Sequence, residues 1–158
     1  MKRNLKKYAK YFMEIKSKNE ESFGTIPFCK IEGILNYLLI KHKNGHWGFP
    51  KGHADTHEKN IDTAKRETFE ETGLNVDIIK NCSFQETYTY NFNHENVTKT
   101  VTYYLGKTNN KNVKINDTDE IEEYIWAEYS FALSLLEFAS VKKIISNAHL
   151  ILLEKNDL

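Results

Sequence analysis

Residues 52–74 read GHADTHEKNIDTAKRETFEETGL, and within them Glu67, Glu70 and Glu71 stand at i, i+3 and i+4. A helix turns once in 3.6 residues, so the three carboxylates share one face. Carboxylates this close repel one another unless something neutralises them. Hard divalent cations do so, and Mg²⁺ favours carboxylate oxygens together with substrate phosphates. The segment is therefore expected to fold as a helix with one acidic face and one docking face. Ile61, Thr68, Phe69 and Thr72 point away from the acids and are expected to dock on a core. Arg66 precedes Glu70 by four and can hold it oriented. Asn60 is the expected N-cap, and Gly73 ends the helix as a residue tolerant of positive φ should. An acidic face that is merely solvated is the bland alternative. It does not require a loop glycine at Gly52, an isolated Glu58 and an Arg66-Glu67 pair at fixed offsets.

The chain has 158 residues, enough for one domain with a real core. Its formal net charge is zero, so no whole-molecule field favours nucleic acid or membrane. No apolar run reaches the length of a membrane span; ILNYLLI at 34–40 has the length of a buried strand. Without a signal-peptide apolar core at the N-terminus, the expectation is a cytoplasmic protein, and a monomer. Cys29 and Cys82 are expected to be reduced and buried, and no Cys/His cluster suggests zinc. Residues 1–20 form a basic extension with seven Lys/Arg, set apart from a domain at 21–158. Leu5, Tyr8, Phe12 and Ile15 recur there at helical spacing. A solubilising tail or a packed helix is the plain reading of that extension, and an RNA or membrane contact the other.

Strands are expected at about 22–29 and 34–43, the second ending at the Asn44-Gly45 hairpin signal. HWGF resumes extended structure before a Pro50-Lys51-Gly52 loop. A strand at 75–80 precedes a Thr- and Tyr-rich hairpin, 84–92 and 97–106, closed around 93–96. A strand at 121–128 and helices from about Phe131 finish the chain. Strands, one helix, more strands and closing helices make an α+β fold.

The spacing G-x5-E-x7-R-E-U-x-E-E-x-G-U, with U a bulky apolar residue, resembles the Nudix box, the signature of the Nudix hydrolases. Gly52, Glu58, Arg66, Glu67, Glu70, Glu71 and Gly73 all match it. Thr68 departs, since the family usually places an aliphatic residue there, facing the core. The resemblance implies a Nudix α/β/α sandwich, with a mixed sheet between helices, and hydrolysis of a nucleoside diphosphate linked to another group.

The flanks resemble one branch of the family, the asymmetrical diadenosine tetraphosphate hydrolases. HWGFPKGH at 46–53 is similar to that branch's WxxPKGH lead-in, KTVTYYL at 99–105 to its K-T-V-x-Y strand, and Glu120 through Trp126 to its E-x5-W segment. The resemblance implies Mg²⁺, with Mn²⁺ as the alternative, held by Glu67, Glu70, Glu71, Glu120 and the Gly52 carbonyl. Glu67 or Glu120 is the candidate general base, with Glu58 orienting Arg66 or the helix behind them. Lys51 beside metal-bound glutamates would meet polyphosphate. Lys99 lies either at an exposed edge or in a polar cleft, and the match favours the cleft. His46 reads as a core-edge histidine or a phosphate contact. Tyr88 and Tyr90 are candidates to stack on a base, Tyr124 a weaker one; Trp126 is expected in the core. The implied reaction converts diadenosine tetraphosphate and water to ATP and AMP. Removal of pyrophosphate from RNA 5′ ends, with the basic extension gripping the backbone, is the alternative enzyme. An inert nucleotide-binding module is the alternative class, disfavoured because such proteins usually lose box glutamates.

Overall fold

The computed structural model describes residues 17–155; the expected amphipathic helix over Leu5–Ile15 lies outside them. The elements are β1 (Ser17–Ile31), β2 (Ile34–His42), β3 (Trp47–Gly48), β4 (Lys51–Gly52), α1 (Asn60–Thr72), β5 (Asp77–Phe92), β6 (Glu95–Lys107), β7 (Ile121–Glu128), α2 (Tyr129–Leu135) and α3 (Ala139–Glu154). One seven-stranded sheet runs β3-β2-β1-β6-β5, with β4 paired to β1 and β7 to β2. β1 and β6 are parallel and the other pairs antiparallel, so the sheet is mixed.

Helices cover both faces. Ser22 through Cys29 of β1 are buried without a break, as are Tyr37 to Ile40 of β2, the pattern of strands covered on two sides. Ile26, Phe28, Tyr37, Leu39, Val101, Tyr103 and Leu105 meet Ala132, Val141, Ile144, Ile145 and Ala148 of α2 and α3. Thr25, pointing the other way, meets α1 through Thr68. The chain is thus α+β, as its pattern implied, and layered as a sandwich, as the resemblance implied.

The Asn44-Gly45 turn forms as expected, with Gly45 at φ 92° and the His42 amide donating to the His46 carbonyl at 2.9 Å. The two strands expected at 75–80 and 84–92 are instead one, β5. Its pairing with β6 slips between Ile78 and Ser83, where Asn81 adopts φ 56°, so an irregularity of the bulge kind, not a break, separates them. The hairpin turn is tighter than expected: Asn93 and His94 alone take positive φ, as a two-residue turn demands. Cys29 is buried and Cys82 half-buried, and both are free thiols. Among the described residues no helix is long and apolar enough to cross a membrane.

Candidate active site

The helix that carries the box docks by small and polar residues. Thr63, Ala64, Thr68, Glu71 and Thr72 are its buried positions, whereas Ile61 and Phe69, expected inward, are 43% and 48% exposed. Thr68 fills its core slot with a hydroxyl that donates to the Ala64 carbonyl at 2.7 Å. The Thr25 hydroxyl, 2.7 Å away, must then donate to Thr68. Asn60 starts the helix without capping it: the flanking residue is Lys59, and no side chain caps the end. Gly73 closes it in the left-handed region at φ 72°, its amide donating to the Phe69 carbonyl.

Arg66 organises the acids. Its Nε and Nη2 donate to the two oxygens of Glu58 at 2.8 and 3.0 Å, a bidentate fork. Nη1 donates to Glu67 at 2.9 Å and to Glu70 at 3.0 Å, and Nη2 also reaches the His53 carbonyl at 2.9 Å. Glu58 accepts further from the Asp55 amide and the Thr63 hydroxyl. The Arg66 hydrogen bonds hold its carboxyl down, to about 2. Arg66, expected to orient Glu70, thus serves three of the four acids: Glu58, Glu67 and Glu70.

Glu71 is the exception. It is 6% exposed, its recorded hydrogen bond comes from the Lys51 amide at 3.1 Å, and it forms no ion pair among the described residues. Burial pushes its carboxyl up to about 8, against the opposing charge of Lys51. Burial also raises Glu67, with Arg66 opposing. The Glu67 carboxylate lies against Gly52 so closely that a Cβ there would fall on it. Gly24 is equally constrained, by the Pro50 carbonyl and Lys51, where β1 and β4 cross.

Three residues distant in sequence share one field with Glu71. Lys99 on β6 is half-buried; burial and the charge of Lys51 lower its pKa, while Glu20 and Glu120 oppose. Glu120, exposed in the turn before β7, also bears on Glu71. Its amide is tied to Asp117 and its carbonyl to the Lys43 amide. Lys51 and Glu71 are thus in contact through the Lys51 amide, and Lys99 and Glu120 act on that pair through charge. Tyr88 lies directly opposite Lys99 across β5 and β6, with its ring 41% exposed. Tyr90 is 6.1 Å from it, ring to ring, and donates its hydroxyl to Glu20 at 3.0 Å.

Two further expected residues have neighbours of their own. His46 Nδ1 pairs with Glu137 at 2.9 Å and its ring tilts against Phe138. Tyr124 lies on β7, four strand spacings from β5, or about 19 Å. Trp126 is half-buried and donates to the Lys111 carbonyl at 3.0 Å, so it is not a core residue. Sequence reasoning passed over Glu86, which accepts from Ser140 of α3 at 2.6 Å; nothing local marks a glutamate in a Thr/Tyr-rich strand as buried.

Among the described residues no three His, Cys, Asp or Glu side chains form a ready-made metal centre, because Arg66 stands between Glu67 and Glu70. The donor chemistry nevertheless fits a hard divalent cation. Glu71 is a buried carboxylate without a cation, and Glu67 and Glu70 lie on the same helix face.

Residues 25–147 match the NUDIX domain. The chain is 32% identical over 119 residues to the asymmetrical bis(5′-nucleosyl)-tetraphosphatase of Mus musculus, a match covering 73% of this chain and 79% of that protein. It is 34% identical over 90 residues to the RNA pyrophosphohydrolase of Bartonella clarridgeiae, covering 46% and 51%. A solved binary complex of a C. elegans Ap4A hydrolase matches with a TM-score of 0.74 at 27% identity, over 85% of this chain and 98% of that one. The arginine-centred box, the mixed sheet that carries it and these matches agree: the chain belongs to the Nudix family of hydrolases.

Proposed function

We propose that this chain hydrolyses dinucleoside polyphosphates, diadenosine tetraphosphate and water giving ATP and AMP, with a divalent cation, Mg²⁺ or Mn²⁺, bound. The observation that carries the reading is the buried Glu71 carboxylate, bonded by the Lys51 amide at 3.1 Å beside the Arg66-centred acids. The charges of Lys51 and Lys99 act on each other there, against Glu20 and Glu120, and a bound polyanion would relieve that repulsion further. A polyphosphate is such an anion, and likeness to the mouse tetraphosphatase supports the choice.

Glu71, with Glu67, Glu70, Glu120 and the Gly52 carbonyl, would hold the metal. Bound there, it would neutralise the phosphates and lower the pKa of water. Lys51 and Lys99 bind the phosphate chain and fix its register. Tyr88, with its ring exposed beside Lys99, offers the base a stacking surface; Tyr90, tied to Glu20, holds that strand in place. Glu67 or Glu120 takes the proton of the attacking water, whose oxygen bonds to phosphorus as a bridging P–O bond breaks. Glu58 positions Arg66, which holds Glu67 and Glu70.

Chromatography of the products decides. ATP and AMP are expected from diadenosine tetraphosphate, with a much higher kcat/KM than for diadenosine triphosphate or ADP-ribose, and EDTA is expected to abolish turnover. Two ADP, or full activity in metal-free buffer, would overturn the reading. A second reading, hydrolysis of RNA 5′ ends, is favoured by the match to an RNA pyrophosphohydrolase; preference for triphosphorylated RNA in the same assay would promote it.

A further inference from the structure

Glu86 has no part in the chemistry above, yet it is one of the most deeply placed acids in the molecule. It stands on β5 two residues before Tyr88, on the same strand face, and is 9% exposed. The Ser140 hydroxyl, in the first turn of α3, donates to its Oε2 at 2.6 Å, and the Tyr103 hydroxyl reaches its Oε1 at 3.5 Å. It has no ion-pair partner among the described residues. A carboxylate has about four acceptor directions; here one is well filled and one filled at long range. The carboxyl therefore keeps acceptor capacity beyond its two partners, in a place where water has little access.

Its surroundings say which donor. Tyr88, whose own titration feels the charge of Glu86, is exposed, and so is Phe138, two residues before Ser140. Lys99 sits across from Tyr88. A base lying on Tyr88 with its phosphates toward Lys99 would turn an edge to Glu86. A second cation there would compete with Lys99 for the phosphates, so a neutral N–H donor fits best.

We propose that Glu86 reads the exocyclic amine of the bound base, accepting from the adenine amino group and repelling a carbonyl at the same place. The identity of the base as adenine rests on the dinucleotide reading above. Hypoxanthine, which replaces the amine with a carbonyl, is the probe. Calorimetric titration of the wild-type chain with ATP and with ITP is expected to favour ATP by at least about tenfold, as a site built to accept from a substrate N–H rejects the analogue lacking it. Diadenosine tetraphosphate should be preferred to diinosine tetraphosphate by a similar factor in kcat/KM, with the loss in KM.

Glu86→Gln can donate as well as accept, and should bring the two bases to within about threefold of each other. Ser140→Ala keeps the carboxylate and should keep the adenine preference whatever its melting temperature. Equal wild-type affinity for ATP and ITP would overturn the proposal, and that result needs no variant to fold. So would full base preference in Glu86→Gln, or proportional loss on both substrates in Glu86→Gln and Ser140→Ala, the mark of a carboxylate that only pins α3 to β5. If neither dinucleotide is hydrolysed the proposed reaction fails, while the ATP–ITP comparison still decides the role of Glu86.

Discussion

Glu71 and Glu58 lie in the same box and are driven in opposite directions. Arg66 holds Glu58 down to about 2, and burial lifts Glu71 from 4.5 to about 8. For Glu71 the folded protein binds its proton more tightly than the unfolded chain. The stability this contributes is present below about pH 4.5 and lost as pH rises through about 8. In EDTA, Glu71→Gln is therefore expected to gain on the wild type as pH climbs from 5 to 8.5, by on the order of 2 kcal/mol. Urea unfolding at several pH values reads the gap, and a gap independent of pH would mean that Glu71 ionises freely. With Mg²⁺ present the same variant should lose at least about a hundredfold in turnover, since each factor of ten is about 1.4 kcal/mol of barrier. Ser22 is a quieter case. Its hydroxyl is buried with no hydrogen-bond partner, so Ser22→Ala should leave stability unchanged or raise it by up to about 1 kcal/mol, as denaturant midpoints would show.

At the scale of elements, the helix α1 docks through hydroxyls where an aliphatic side chain is usual. Thr68→Val leaves the Thr25 hydroxyl without its acceptor inside the core, an expected cost of about 1 to 2 kcal/mol. Adding Thr25→Val should recover much of it, because both partners are then apolar. Additive losses in the double-mutant cycle would mean the pair is not coupled. The same chemistry explains what the sequence concealed. The extent of α1 and its glycine stop were legible, because spacing and a left-handed stop are local, although Asn60 starts the helix instead of capping it. Its docking face was legible in part: Thr68 and Thr72 dock as expected, but Ile61 and Phe69, though more apolar, stay outside while Thr63 goes in, because the threonine hydroxyls are bonded to backbone or to Thr25. The continuity of β5 was hidden likewise, since Asn81 reads as a turn and instead sits in an irregular stretch within the strand.

Across the whole molecule, the box announced its chemistry because one helix face holds it. Lys51, Lys99 and Glu120 were singled out by resemblance and not by spacing, because only the fold sets β4, β6 and the approach to β7 near enough for their charges to act on one another. Their local field sits in a chain of zero formal net charge. Raising salt from 50 to 300 mM should therefore lower kcat/KM for a dinucleotide by less than about tenfold; a steep log–log decline would instead signal the many phosphate contacts of an RNA substrate. The Arg66 fork has one further consequence. Since it already satisfies Glu67 and Glu70, it would act as a placeholder at those two, and an ion bound as proposed would take their oxygens over from a guanidinium while giving Glu71 the cation it lacks. Metal loading would then be in part an exchange of cations, and a chelated sample should keep its circular dichroism spectrum, stay folded on storage, and regain full turnover the moment the ion is returned.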